Sequence, residues 1–349
     1  MPPPPYRWVR RLLIAPAVVL GYAAAALAMP LVVPLAAFLS RYVPGKWRIL
    51  RVVWFLFFYW TIEALSLVAM FVFWVGSGFG YAIHRPYWQE LHHHLLSWML
   101  RRLVRSAKLT FKIQLVYEGE PARPSPGGHT RPVLVLGRHA GPGDSLLLMD
   151  GIANRAHRHP RIVLKEFLQW DPAIDVMLNR IPSVFVPASG GSEELLAAIR
   201  DMAATMNADD AFVIFPEGGN YTPGRHRRSI EKLREIGRPD LAERAAALRN
   251  TLPPRSTGVM TALAAVTMPT DVVFVGHAGL EAFESFGDIW RGMPMDTEID
   301  VRIWRFAAED VPPPEGQEEW LFDMWAEIDE WITARLADTA EPFDDADAY

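Results

Sequence analysis

Two long apolar runs precede every other pattern in the chain. Residues 12–40 carry no ionised side chain, and residues 52–83 carry only one, Glu63. A helix of about 20 residues crosses ~30 Å of hydrocarbon, so each run is long enough to form a membrane helix. A cleaved signal peptide is disfavoured, because the first run is too long and a second run follows it. We therefore predict a membrane-embedded helical hairpin over residues 1–84.

The pattern leaves the depth of this hairpin open. Pro16, Pro30 and Pro34 break up the first run, so a hairpin that dips into one leaflet is an alternative to one that spans the bilayer. If both helices cross, the N-terminus and the main domain lie on the same side. Their combined Lys and Arg outnumber those of the turn at 41–51, which predicts the cytoplasmic side by the positive-inside rule.

A third helix is predicted over residues 86–109, where apolar positions recur at helical spacing and the far end is basic. Such a helix lies either at a membrane surface or against a protein core, and the pattern fits both placements. His92, His93 and His94 invite interpretation as a metal site. Consecutive helical residues point in different directions and cannot hold one ion together, so we predict a solvated or interfacial face for them.

From residue 111 onward, short β-rich runs alternate with helical stretches. The runs are FKIQLVYEG, PVLVLG, RIVLK, SVFVPA, AFVIFPEG, DVVFVGH and EIDVRIWRF. This alternation predicts an α/β fold in which an open, largely parallel sheet is flanked by helices. A closing helix is predicted over 315–338, an acidic tail over 339–349 and a loop over 119–131. Functional sites of such sheets form where strands end and loops begin.

Composition narrows the possible chemistry. The net charge of −5 over 349 residues argues against a general nucleic-acid binder. The chain has no cysteine, which excludes disulfides, a thiol nucleophile and a cysteine-ligated metal. It also lacks a serine in a GxSxG elbow, so an α/β hydrolase with a covalent acyl-enzyme is disfavoured.

The stretch GRHAGPGDS at 137–145 places His139 and Asp144 five positions apart, with small residues and a proline between them. These residues let the chain turn back sharply, so the carboxylate can reach the imidazole. A neutral imidazole held by a carboxylate can take a proton from a hydroxyl near pH 7. The alternative is a histidine in a Gly-Pro turn, with Asp144 capping the next helix.

A second polar loop, FPEGGNYTPG, follows the apolar strand AFVIF. It presents Glu217, Gly218 and Gly219 at a strand end, where glycine-rich backbone can offer amide donors to a phosphate or an oxyanion. The two loops together favour a reaction in which a substrate hydroxyl attacks a bound acyl group directly.

The order and content of the two loops resemble the glycerolipid acyltransferase family, typified by bacterial 1-acyl-glycerol-3-phosphate acyltransferase. That family carries a His-(four residues)-Asp motif and then Phe-Pro-Glu-Gly, matched here by His139…Asp144 and by residues 215–218. LPPRSTGVMTAL at 252–263 is similar to the Pro-Arg segment of the lysophosphatidic-acid and lysocardiolipin acyltransferase branch. The resemblance covers roughly residues 85–335. We assign 85–338 to an acyltransferase domain.

The resemblance implies an acyl-CoA-dependent O-acyltransferase that acts on lysophosphatidic acid or a related lysophospholipid. His139 would be the general base, Asp144 would orient it, and Glu217, Gly218 and Gly219 would help to position the acceptor. The acyl donor would be acyl-CoA or acyl carrier protein, and neither a metal nor a cofactor would be needed. The enzyme would lie at the cell membrane with its catalytic domain on the cytoplasmic side.

The chain departs from the family at the residues that usually hold the acceptor phosphate. Gly-Asn at 219–220 replaces the usual Thr-Arg, and Ala188 stands near the place of a second Arg. Arg255 is the best substitute, and Arg138 and Lys165 are further candidate phosphate contacts. Other arginines that could substitute are Arg180, Arg225, Arg227 and Arg228. The alternatives are therefore a non-phosphate acceptor, such as a glycolipid or amino-acid lipid, and an inactive membrane-anchored lipid-binding protein.

Overall fold

A single sheet organises the chain after residue 111. The computed structural model describes residues 3–119, 130–139, 143–186, 193–281 and 286–340. The strands are β1 Ile113–Glu118, β2 Val133–Gly137, β3 His159–Lys165, β4 Ser183–Val186, β5 Asp210–Ile214, β6 Asp271–Ala278 and β7 Thr297–Phe306. They form a seven-stranded sheet of order β1-β7-β6-β2-β5-β3-β4, in which only β6 and β7 pair antiparallel. The predicted α/β fold is confirmed, and each predicted run overlaps one strand.

Helices cover both faces of the sheet. They are α1 Arg7–Leu39, α2 Arg48–Gly76, α3 Pro86–Phe111, α4 Asp144–Asp150, α5 Pro172–Leu178, α6 Glu193–Ala204, α7 Pro223–Glu235, α8 Pro239–Ala247, α9 Ser256–Ala265, α10 Phe286–Gly292 and α11 Gln317–Ala340. One face packs against α2, α3, α4 and α5, and the other packs against α6, α9 and α11. Central strands such as β2 are therefore buried at every position and read as continuous apolar runs.

The closing helix predicted over 315–338 is α11. Trp325, Ile328 and Ile332 lie on one stripe of this helix and are fully buried against the sheet. The predicted acidic tail lies outside the described residues from 341 onward. The predicted loop at 119–131 lies outside them between 120 and 129, and Ala188 also falls outside.

The first apolar run forms one continuous helix. Pro30 and Pro34 lie inside α1, which also contains a π-helical turn at Arg10–Ile14. The prediction that prolines break this run is wrong, because each proline removes one backbone hydrogen bond while neighbouring turns keep theirs. By length and composition, α1 and α2 could each cross a membrane.

The start of the hairpin is bound to the domain. Arg10 Nη2 lies 2.7 Å from Asp175 Oδ1 in α5, and both side chains are buried. Arg11 Nε lies 3.5 Å from the other oxygen of the same carboxylate. Arg10 and Arg11, which precede the first apolar run in the sequence, therefore both pair with the buried carboxylate of Asp175.

The turn between α1 and α2 also contacts the domain. Lys46 Nζ lies 3.7 Å from Asp296 Oδ2, and Arg48 Nη2 donates to the backbone oxygen of Arg291 at 2.9 Å. In a hairpin that crossed the bilayer, the turn would emerge on the far side of ~30 Å of hydrocarbon. With its start and its turn both held by the domain, the hairpin lies along the domain, which favours the one-sided alternative.

α3 packs into the core rather than against a surface. Leu96, Leu100 and Leu103 are buried among side chains of α2, α4 and α5. His92 and His93 are buried as well, so the prediction of a solvated face is wrong for them. The His92 ring contacts the Trp88 carbonyl oxygen through Nδ1 at 2.6 Å, which shows that its polar atoms are satisfied inside the protein.

Candidate active site

The two polar loops meet at one edge of the sheet. β2 ends at Gly137 and leads into His139, while β5 ends at Ile214 and leads into the loop with Glu217. Because β2 and β5 are parallel neighbours, their carboxyl ends lie side by side. This is the edge at which sites form in open α/β sheets.

His139 and Asp144 are hydrogen-bonded. His139 Nδ1 lies 2.8 Å from Asp144 Oδ2, and the Asp144 side chain is buried at the start of α4. With Asp144 ionised, Nδ1 carries the proton and donates it to the carboxylate, which leaves the Nε2 lone pair available. The His139 side chain remains 22% exposed, so a substrate hydroxyl has access to it. The arrangement supplies a base and the group that orients it.

Glu217 lies behind this pair rather than beside an acceptor. One carboxylate oxygen accepts from the backbone N–H of His139 at 2.9 Å, and the other accepts from Leu252 N–H at 3.0 Å. The side chain is buried, and burial raises the pKa of Glu217 to about 7. We therefore correct the expectation that Glu217 contacts the acceptor. Its carboxylate instead holds the backbone of the loops that contain His139 and Leu252.

Arg138 is likewise enclosed in the protein. Its guanidinium donates to the backbone oxygens of His277 and Asn250 and pairs with Glu281. The residue is only 2% exposed. The expected role as a phosphate contact is corrected, because this cation is already neutralised where it ties β2 to the loop after β6.

Gly218 and Gly219 form a turn that two arginines cover. Gly218 has φ +67°, and a Cβ there would lie 2.9 Å from Arg255 Cζ. A Cβ on Gly219 would lie 3.2 Å from Arg225 Nη1. Both arginines are exposed, and the only side-chain hydrogen bond of Arg225 in the described part of the chain goes to the Asn220 carbonyl at 3.1 Å. The structure thus places two accessible cations at the predicted anion-binding turn.

Lys165 is the last residue of β3 and is exposed. β3 neighbours β5, which in turn neighbours β2, so Lys165 stands two strands away from the strand of His139. It shares the carboxyl edge of the sheet with the site without a described contact to His139 or Asp144. Its role as a phosphate contact stays a prediction.

His277 is a site residue that the sequence interpretation missed. It lies near the end of β6, and its Nε2 is 3.9 Å from Asp144 Oδ2. Burial lowers the pKa of His277 to about 4, so the ring is neutral at pH 7. The available signal was a histidine at the carboxyl end of an apolar strand, but sequence alone does not reveal that β6 is the neighbour of β2.

An apolar cavity extends from this site beneath the sheet, and we call it the sheet cavity. Its volume is about 90 Å³. Asp144 and His277 line it at the site, and its walls come from β2, β6, β7, α4 and the π-helical turn that follows α4. Representative wall residues are Val135, Leu148, Gly151, Val275, Val301 and Ile303. Asp144 of the dyad therefore borders an apolar space.

Among the described residues, no three His, Asp or Glu side chains are grouped to hold a metal ion.

Comparison with known proteins gives matches of two kinds. Residues 114–280 match the model of the family described as Acyltransferase. The 1-acyl-sn-glycerophosphate (LPA) acyltransferase PlsC from Thermotoga maritima is a similar solved structure, with 13% sequence identity and a TM-score of 0.42. The match covers 78% of this chain and 99% of that one. No curated protein sequence matches the chain.

Proposed function

We propose that this chain, whose residues 114–280 match the Acyltransferase family model, is a glycerolipid acyltransferase that transfers a fatty acyl chain from acyl-CoA to the free hydroxyl of lysophosphatidic acid or a related lysophospholipid. The observation that carries the proposal is the His139–Asp144 hydrogen bond at one end of the sheet cavity. The base can take the proton of an acceptor hydroxyl, and the apolar cavity next to it can bind the chain of a fatty acyl thioester.

The reaction follows from the geometry of the dyad. His139 Nε2 takes the hydroxyl proton as the acceptor oxygen attacks the thioester carbonyl carbon, and Asp144 stabilises the imidazolium that forms. The carbon–sulfur bond then breaks, and the leaving thiolate takes up the proton from the imidazolium. The donor's acyl chain lies in the sheet cavity, and the reaction needs neither a metal nor a resident cofactor.

Arg255 and Arg225 support a phosphorylated acceptor. The chain lacks the family's usual phosphate-binding arginines, and Arg138 is neutralised inside the protein. The two accessible guanidiniums at the Gly218–Gly219 turn supply the charge and the donors that a phosphate needs. A glycolipid acceptor is the alternative if these cations prove irrelevant to binding.

The membrane is the source of the acceptor in this proposal. α1 exposes large apolar side chains such as Leu20, Leu27 and Leu31, which are 71 to 84% exposed. Such a surface fits lipid better than water. The catalytic domain would then work at the cytoplasmic face of the cell membrane.

The test is transfer of labelled acyl groups from acyl-CoA, and from acyl carrier protein, to a panel of lysolipids. We expect His139→Ala to lose about 10³-fold or more in kcat with its thermal unfolding midpoint unchanged, because general base catalysis is lost. His94→Ala is the matched control, since His94 is exposed on α3 and distant in sequence from both loops. Equal activity of wild type and His139→Ala would exclude the mechanism, and transfer to no acceptor by wild type would favour an inactive lipid-binding protein.

A further inference from the structure

A second apolar cavity lies on the other side of α4, and we call it the helix cavity. Its volume is about 270 Å³, against about 90 Å³ for the sheet cavity. Its walls come from α2, α3, α4, α5 and β3, with side chains such as Ile62, Leu96, Met99, Met149, Leu164 and Met177. Methionine and leucine side chains adapt to a flexible chain, so the lining suits a fatty acyl group.

α4 separates the two cavities, and residues at its start line both of them. Asp144 and Leu147 line the sheet cavity, whereas Ser145 and Met149 line the helix cavity. Successive residues at the start of one helix thus face two different spaces. Transfer onto a lysolipid brings two acyl chains to one reacting centre, and each cavity offers a place for one of them.

The helix cavity is next to the lipid-facing part of the molecule. α2 forms one wall with Ile62, and the same helix exposes Leu65, Val68 and Phe71. A chain that leaves a bilayer beside α2 can therefore pass into the cavity along apolar surface. The sheet cavity has no wall from α1 or α2 among its described lining residues.

Charge decides which end of a lipid fits inside. The ionisable lining residues of the helix cavity within the described chain are Tyr59, Glu63 and Asp171, and none is basic. The Tyr59 hydroxyl donates to Asp171, so this polar pair is satisfied within the protein. An anionic head group would meet acidic side chains here, which leaves it outside, whereas a hydrocarbon chain meets aliphatic walls.

We propose that the helix cavity binds the acyl chain that the acceptor already carries, so that the acceptor is a single-chain lipid with its head group held outside near Arg255. This inference rests on the proposed acyltransferase function and adds that acceptor and donor chains occupy different cavities on opposite sides of α4.

Photolabelling tests the location directly. The probe is lysophosphatidic acid with a diazirine in its acyl chain, bound to full-length His139→Ala protein in detergent so that it is not consumed. We expect cross-links in residues 96–103 and 173–178, which line the helix cavity, and competition by unlabelled lysophosphatidic acid. Cross-links confined to the sheet cavity, or to the exposed faces of α1 and α2, would overturn the proposal.

Kinetics provides the second test. Met149→Trp should lower the kcat/KM ratio of long-chain to short-chain acceptors about tenfold, because the indole fills the helix cavity. Gly151→Leu, two residues further along the same helical segment, adds its side chain to the lining of the sheet cavity and should leave this acceptor ratio at the wild-type value. Leu164→Trp, from the opposite wall, replaces Met149→Trp if that variant shows a lowered thermal midpoint.

The outcomes separate the two proposals. If wild type transfers acyl groups but neither tryptophan variant changes the acceptor ratio, the second chain site is wrong and the proposed function stands. If wild type transfers nothing to any lysolipid, the proposed function fails, and the photolabel alone decides whether a single-chain lipid occupies the helix cavity.

Discussion

Asp144 shows how one buried carboxylate organises the site at the residue scale. It accepts from His139 and lies 3.9 Å from His277, which burial keeps neutral. Asp144 Oδ2 therefore pairs with the partly exposed His139 and lies near the neutral ring of His277. The proposed base is thus oriented by Asp144 at the start of α4, and His277 of β6 lies next to that carboxylate.

Arg255 provides the sharpest test of the acceptor's charge. We expect Arg255→Ala to raise the KM for lysophosphatidic acid about tenfold or more with a smaller change in kcat, since a hydrogen bond to a charged group contributes roughly 1.5–3 kcal/mol. Arg234→Ala is the control, because Arg234 is an exposed arginine in the last turn of α7 and is not a candidate phosphate contact. Equal KM values for wild type and Arg255→Ala would remove Arg255 from the site, and an unchanged KM for monoacylglycerol would identify phosphate as its ligand.

Glu217 makes stability depend on pH. Burial raises its pKa to about 7, whereas an unfolded glutamate titrates near ~4.3. Between these values the folded state binds the proton more tightly, so stability falls as the pH rises through this window and changes no further above the folded pKa. The thermal midpoint of wild type should fall relative to that of Glu217→Gln as the pH is raised from about 4.5 to 7. A constant difference between the two proteins across that window would contradict the assignment.

At the scale of elements, α4 separates the sheet cavity from the helix cavity and carries Asp144. It is a short helix, and it continues into a π-helical turn at Gly151–Arg155. The wider turn changes which side chains face the sheet, and π-bulges recur at functional sites. The first residue of α4 is therefore Asp144 of the dyad, and the π-helical turn that follows α4 forms part of the wall of the sheet cavity.

Gly151 allows the sheet cavity to be shortened without disturbing the dyad. A Cβ on Gly151 meets no heavy atom within 4 Å, so a larger side chain extends into the cavity. We expect Gly151→Leu to lower kcat/KM for long-chain acyl-CoA about tenfold relative to short-chain acyl-CoA. Helix propensity favours leucine over glycine, which protects the fold. Gly151→Ala is the size control, and an identical donor profile in all three proteins would place the donor chain elsewhere.

At the scale of the whole molecule, the hairpin behaves as part of the domain. α2 packs against α3 and α5, and α1 packs on α2 as the outer layer. The buried Arg10–Asp175 pair fixes the start of α1 to the domain, because separating it would leave a buried charge unpaired. This layering predicts that one face of the molecule rests in lipid while the sheet remains outside it.

Cysteine labelling tests this arrangement, and the chain has no native cysteine to interfere. We expect Tyr42→Cys in the turn, Pro4→Cys at the N-terminus and Glu235→Cys in the domain to react from the same side of sealed vesicles with an impermeant maleimide. The reason is that the start of the hairpin and its turn both contact the domain. Labelling of Tyr42→Cys from the side opposite to Glu235→Cys would show a spanning hairpin instead.

The sequence by itself determined the elements and the candidate site of the proposed reaction. Seven β-rich runs and the helices between them follow from periodicity, which is a local property. The approach of Asp144 to His139 is also local, because the two residues are five positions apart and the small residues between them let the chain turn back. The family motifs added the order of the two loops along the chain.

The tertiary structure decided which of these side chains face a substrate. Glu217 and Arg138 look like binding residues in the sequence, yet both are satisfied inside the protein by partners distant along the chain. His277 became a site residue, and α4 a wall between two cavities, only when β6 and the hairpin were placed beside β2 and α3. Burial and partner choice arise from contacts between distant segments, and no local pattern encodes those contacts.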